Sequence, residues 1–218
     1  MNNKQKFKGI VVPAVTPLTK DFKLDITALE KMFHNFHRHN VMPFINGTTG
    51  ESASLPFKLK KDYITAASKI KHPGDMLYLG ISANCLEESV TLAKIGFDNG
   101  VDAVAATLPS YYNLSDSQMI RYFEQLAEQV PGPIIIYNIP VTTRMSIPLY
   151  VIDELSVHER IIGTKDSERS DDLGFFRGGD PSDPLPGLLR VGITSHVDTA
   201  LRGSAWAPPS ARLAGWGR

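Results

Sequence analysis

Residues 160–167 read Arg-Ile-Ile-Gly-Thr-Lys-Asp-Ser, a short apolar strand that ends on Lys165. An ammonium in an apolar wall must find a counter-charge or lose its proton. A lysine that loses its proton is a neutral amine, a nucleophile toward carbonyls. The same residues also fit a solvated lysine after an ordinary strand, or one paired with Asp166. Two further stretches bear on the choice. Tyr137 closes the run Ile134-Ile135-Ile136 and precedes Asn138-Ile139-Pro140. A phenol beside an amine can relay protons while an imine forms. Gly47-Thr48-Thr49-Gly50 places two hydroxyls between glycines, so backbone N–H groups can approach a small carboxylate. Each has a plainer reading. Tyr137 fits a core tyrosine with its hydroxyl at the rim, and the glycine turn fits a loop from which Glu51 or Ser52 starts a helix.

Other chemically capable residues point elsewhere. Tyr111 and Tyr112, before Asn113, form an aromatic loop pair of the kind used at interfaces and lids. His34, His37 and His39 share one helical stretch without matching carboxylates in sequence, which fits a solvated face rather than a metal site. Cys85 fits a buried or partly exposed structural residue.

The elements that must position these residues alternate regularly. Apolar runs at residues 8–17, 41–46, 75–82, 101–109, 133–137 and 160–165 predict six strands. Between them, residues 24–40, 56–70, 86–99, 115–130 and 148–155 predict five helices. Asp25 is placed to cap the first helix, and Ser115 with Gln118 has capping-box spacing. Near-continuous apolar strands in a βα alternation predict a parallel sheet covered on both faces. A closed (β/α)8 barrel and an open doubly wound sheet both fit. No glycine-rich phosphate loop follows the first strand, and the chemically capable residues follow strands two, four, five and six. Several strand ends feeding one site is the habit of the barrel.

Bulk properties exclude other classes. The 218 residues carry a formal net charge of zero, which gives no case for nucleic acid or an anionic membrane as a partner. No apolar run approaches the roughly 20 residues of a membrane span, and residues 1–8 lack the apolar core of a signal peptide. The lone cysteine excludes an internal disulfide and fits a reducing cytoplasm. Composition changes near the end: residues 173–218 hold 8 of the 17 glycines and both tryptophans, and no lysine or glutamate. Residues 1–172 are therefore expected to form a partial barrel of about six βα units, and residues 173–218 an atypical tail.

Taken together, Gly47-Thr48-Thr49-Gly50-Glu51-Ser52, Tyr111-Tyr112-Asn113, Tyr137-Asn138-Ile139-Pro140 and Gly163-Thr164-Lys165-Asp166-Ser167 resemble the pyruvate-dependent class I aldolases. That family includes dihydrodipicolinate synthase, N-acetylneuraminate lyase and 2-keto-3-deoxy sugar acid aldolases. The segments stand in the family's order and at about its spacing, over about residues 6–172. The resemblance implies a cytoplasmic, homotetrameric TIM-barrel lyase that acts on pyruvate or another 2-oxo acid with no metal or separate cofactor. By the same resemblance, Lys165 forms the Schiff base and Tyr137 shuttles protons. Thr48 links Tyr137 to a tyrosine, Tyr112, donated by a neighbouring subunit. Thr49 and the Gly47 turn hold the carboxylate.

The chain departs from the pattern twice. In the synthases an arginine stands two residues after the proline of the Tyr-Asn-x-Pro segment and binds the second substrate's carboxylate. Here that position is Thr142, and Arg144 lies two further on. Both are candidate substrate contacts, and the change favours an aldolase or lyase of a sugar-acid-like 2-oxo acid over a dihydrodipicolinate synthase-like condensing enzyme. The second departure is the ending. The family continues into two more βα units, whereas Gly178-Gly179-Asp180 follows Lys165 too soon for a helix and strand between them. Residues 173–218 fit a frame-shifted reading of the missing units, or a divergent extension. A truncated, non-catalytic remnant of the family is thus the alternative to an active lyase.

Overall fold

The computed structural model describes Phe7, residues 9–168 and the pair Leu189–Arg190. Its strands are β1 (Ile10–Pro13), β2 (Val41–Ile45), β3 (Tyr78–Gly80), β4 (Ala103–Ala106), β5 (Ile134–Asn138), β6 (Ile161–Asp166) and β7 (Leu189–Arg190). The helices are α1 (Ile26–Arg38), α2 (Phe57–Ile70), α3 (Leu86–Asp98), α4 (Asp116–Gln129), α5 (Pro140–Thr143) and α6 (Leu149–Leu155). All neighbouring strands pair in parallel, in chain order from β1 to β7. Among the described residues β1 and β7 do not pair with each other, so the sheet curls like part of a (β/α)8 barrel and stays open.

Side chains alternate across each strand, so the sheet divides two cores. Val11, Phe44, Tyr78, Ala105, Ile135 and Tyr137 pack together on the inner face. Ile45, Leu79, Val104 and Ile136 pack on the outer face against Leu29 of α1, Ile64 of α2, Leu92 of α3 and Phe123 of α4. A sheet with apolar residues on both faces must be covered on both, which is why its strands read as continuous apolar runs. The helices start where their caps dictate. Asp25 accepts a 2.9 Å hydrogen bond from the Ala28 N–H, and Ser115 and Gln118 form the expected capping box. Such caps each stabilise a helix by about 1 kcal/mol.

Three local differences from the sequence reading have physical causes. Strands β3 and β4 are shorter than their apolar runs, because burial continues past the ladder: Leu77 and Ile81 are buried beside β3 and keep single backbone bonds across the seam, from the Asp102 N–H to Leu77 O and from the Ile81 N–H to Ala105 O. The single turn α5 was not expected: four residues are too short for a periodic pattern, and the turn is set by Pro140 at its start and by Arg144, at φ 59°, at its end. The seventh strand was not expected either. Its two residues pair Gly163 with Leu189 and Thr164 with Arg190. A strand this short exists only through its partner and leaves no run in the sequence. Apart from that pair, the expected tail at residues 173–218, the frame-shift reading and Gly178-Gly179-Asp180 lie outside the described residues.

Candidate active site

Strands β5 and β6 build the centre of the site. Their register sets Tyr137 opposite Lys165, one step from the C-terminal ends of both strands. A register irregularity between Ile134 and Ile135 precedes this pairing. One residue more or less would send one of the two side chains to the outer face. Lys165 is buried, at 3% exposure, and so is Tyr137. The Lys165 Nζ lies 3.1 Å from the centroid of the Tyr137 ring and donates a 3.2 Å hydrogen bond to Ser167 Oγ. Phe44 of β2 packs edge-on against the Tyr137 ring and closes the other side of the amine. The surface and ion-paired readings of Lys165 are therefore not what the fold adopts. Burial pushes the amine down from 10.5 to about 7, against a smaller upward pull from the Asp166 charge. At neutral pH a large fraction of Lys165 is then the free amine, the form able to attack a carbonyl.

The glycine turn lies at the end of β2 and faces this pair. Thr48 Oγ1 and the Tyr137 hydroxyl are 3.5 Å apart, at the outer limit of hydrogen bonding. The turn's shape depends on what it packs against. Asn46 leaves β2 at φ 51°, which lays its carbonyl on Gly80. A Cβ at Gly80 would come 2.2 Å from that oxygen, so no larger residue fits there without moving the turn. Gly47 O accepts bonds from the N–H groups of Gly50, at 3.1 Å, and Ser52, at 3.3 Å. Thr16, just past β1, donates a 2.7 Å bond to Gly50 O. Tyr63 of α2 steadies the neighbouring Val15 carbonyl through a 2.9 Å bond.

A second set of polar groups lies behind the pair, where alternation turns Asn138 and Asp166 away from Tyr137 and Lys165. Asn138 Nδ2 donates to Asp166 Oδ1 at 3.1 Å and to Glu168 Oε2 at 2.9 Å. Its Oδ1 accepts from the Ile147 N–H at 3.2 Å. The Glu168 N–H bonds Asp166 Oδ1 at 2.9 Å, and Ser146 Oγ donates to Glu168 Oε2. Burial raises the Asp166 carboxyl, while the Glu168 N–H and the Asn138 amide pull it back toward ionisation. From the sequence, Asn138 and Ser167 stood in motif segments without a role of their own, and Phe44 was not singled out. The signal for Asn138 was its place beside Tyr137, opposite an aspartate beside Lys165.

A cleft of about 730 Å³ opens beside Tyr137, and Gly47, Thr48, Thr142, Asn84 and Ser110 are among its other walls. Its side wall includes Lys60, whose buried ammonium lies 3.4 Å from Glu88. Thr48, Thr49, Thr142 and Arg144 are exposed, and of these Thr48 and Thr142 line the cleft. Tyr112 is 76% exposed and stacks edge-on against Tyr111, turned to solvent rather than to Thr48 of its own chain. His34, His37 and His39 are exposed, although a carboxylate does meet them: His37 Nδ1 lies 3.0 Å from Asp75 and its ring stacks on His72. Among the described residues no group of three or more such side chains could hold a metal. Cys85 is exposed rather than part of the core, at the start of α3.

The fold has counterparts among known proteins. The Dihydrodipicolinate synthetase family model matches residues 6–173. The 4-hydroxy-tetrahydrodipicolinate synthase of Methanosarcina barkeri is 32% identical over 163 residues, which span 74% of this chain and 55% of that protein. The dihydrodipicolinate synthase structure from Bacteroides thetaiotaomicron superposes with a TM-score of 0.71 at 34% identity, covering 74% of this chain and 55% of that one. A prophage protein of the dihydrodipicolinic acid synthase family from E. coli K12, solved in complex with pyruvate, gives 0.72 at 27% identity, over 75% and 56% of the two chains. The chain thus spans about half the length of the curated relatives it matches. With the match running through the glycine turn, Tyr137 and Lys165, the chain belongs to the dihydrodipicolinate synthetase family.

Proposed function

We propose that the chain carries the imine-forming site of a class I lyase, acting on a 2-oxo acid such as pyruvate. The observation that carries this reading is the buried Lys165 amine, brought down to about 7 by burial and seated against Tyr137. The amine nitrogen attacks the ketone carbon, and the ketone oxygen takes a proton to give a carbinolamine. Loss of that oxygen as water gives the imine. Its positive nitrogen then accepts the electron pair of a C–C bond broken beta to it, giving an enamine that takes up a proton at carbon; in the forming direction the imine loses a proton from that carbon, and the resulting enamine attacks the second substrate's carbonyl. Tyr137 moves the proton to and from the departing oxygen, and Thr48 orients the phenol. Thr49 and the N–H groups of the Gly47 turn hold the substrate carboxylate. The covalent imine needs no separate cofactor in this scheme.

Thr142 at the cleft wall offers a hydroxyl where the synthases carry a cationic side chain. This favours cleavage or formation of a hydroxylated, sugar-acid-like 2-oxo acid over condensation with an aminated dicarboxylate partner. Exposed Tyr111 and Tyr112 fit a homo-oligomer, the tetramer that the family resemblance implies, in which Tyr112 reaches Thr48 of a neighbour. The reading includes a cytoplasmic setting. The test is to incubate the protein with pyruvate, reduce it with borohydride and weigh it. A mass gain of one reduced imine, lost in Lys165→Ala, is expected. Well-folded protein with no adduct rejects the reading and leaves the non-catalytic remnant.

A further inference from the structure

We propose that Asn138 is a positioning residue for Lys165: by gripping the Asp166 carboxylate from β5, it fixes a negative charge one residue from the amine and locks Tyr137 and Lys165 in register. The inference rests on the imine reading above and adds a group to it that touches neither substrate nor amine. Asn138 is buried, and its side-chain amide uses both of its donors, toward β6 and the residue just past it, and accepts one bond at its oxygen. Its Nδ2 spans two carboxylates, Asp166 at 3.1 Å and Glu168 at 2.9 Å, and its Oδ1 is anchored by the Ile147 N–H. Its own carbonyl accepts a 2.9 Å bond from the Ser167 N–H, which continues the strand pairing past Lys165. An amide is suited to this place because it donates to carboxylates without adding charge.

The groups around Lys165 make the arrangement consequential. Tyr137 on β5 and Phe44 on β2 present rings, and Ser167 presents a hydroxyl. Among the described residues, Asp166 is the charged group that acts on the amine, and it favours the protonated form. Glu168 acts on Asp166 in turn. The Glu168 N–H and the Asn138 amide both favour the ionised carboxyl against its burial, and Asn138 is the side chain that ties it to β5. Without that tie the carboxyl is held less firmly and favours its protonated form more, and in either case Lys165 loses negative charge and releases its own proton at lower pH.

The test follows the Lys165 ¹³Cε signal against pH in wild type, Asn138→Ala, Asn138→Ser, Asp166→Asn and the double variant Asn138→Ala/Asp166→Asn. Lys165→Arg assigns the signal. Borohydride trapping of pyruvate is run on the same samples. Each single variant is expected to lower the midpoint by about one pH unit. The double variant is expected to shift no further than Asp166→Asn. Folded Asn138 variants with the wild-type midpoint, or an unshifted Asp166→Asn, overturn the proposal. An adduct with unshifted titrations sinks this proposal and leaves the imine reading standing. Shifted titrations without any adduct do the reverse.

Discussion

Replacing Lys165 with methionine should make the protein more stable, and by an amount that depends on pH in a defined direction. The folded chain releases the Lys165 proton near pH 7, while an unperturbed lysine holds it to 10.5. Between these values the unfolded state binds more protons, so stability contributed at this site rises with pH across that window. The cost of burying the amine is therefore full below about pH 7 and gone above 10.5. At about 1.4 kcal/mol per pH unit the cost has an upper bound of about 5 kcal/mol. Attraction of the ammonium to the Tyr137 ring is already part of the pH at which the proton leaves, so it does not reduce the cost a second time. The cost near neutral pH is therefore at most about 5 kcal/mol. Methionine fills similar volume with no charge to desolvate, so Lys165→Met should gain up to that amount. Urea denaturation at about pH 7 and about pH 10 measures it. The advantage should shrink steadily between the two. A methionine variant no more stable at about pH 7, or one whose advantage ignores pH, would refute the reasoning that burial dominates this lysine.

Other outcomes follow from the same geometry. Tyr137→Phe keeps the packing against Lys165 but removes the proton carrier; stopped trapping assays should show imine formation slowed by about 10²- to 10³-fold, and an unchanged rate would assign the proton transfer elsewhere. Gly80→Ala drives a Cβ to 2.2 Å from the Asn46 carbonyl, so thermal or urea unfolding should report a loss of about 2–3 kcal/mol, and wild-type stability would mean that the turn yields freely. Glu88→Gln leaves the Lys60 ammonium in the cleft wall without its opposite charge. Because Glu88 is itself partly exposed, the loss should be about 1–2 kcal/mol, and adding Lys60→Met should recover it; no recovery would show that the pair is not what steadies this wall.

The sequence by itself determined the alternation of strands and helices, because burial on both faces of a parallel sheet writes itself as apolar runs, and caps such as Asp25 and Ser115 act over three residues. It also marked Lys165, Tyr137 and the Thr48 turn as residues with suitable chemistry at strand ends. It could not choose between a paired lysine and a neutral one. That choice depends on the β5–β6 register, which turns Lys165 inward onto Tyr137 and Asp166 outward onto Asn138. Nor could it reveal that Gly80, 34 residues after Asn46, is what lets the turn lie where it does. Short elements such as α5 and β7 carry no period of their own and are fixed only by what they pack against. Residue types record what chemistry is affordable locally. Dielectric, charge separation and proton affinity belong to neighbours that are distant in the chain, and only the tertiary structure brings them to within a few ångströms of the amine.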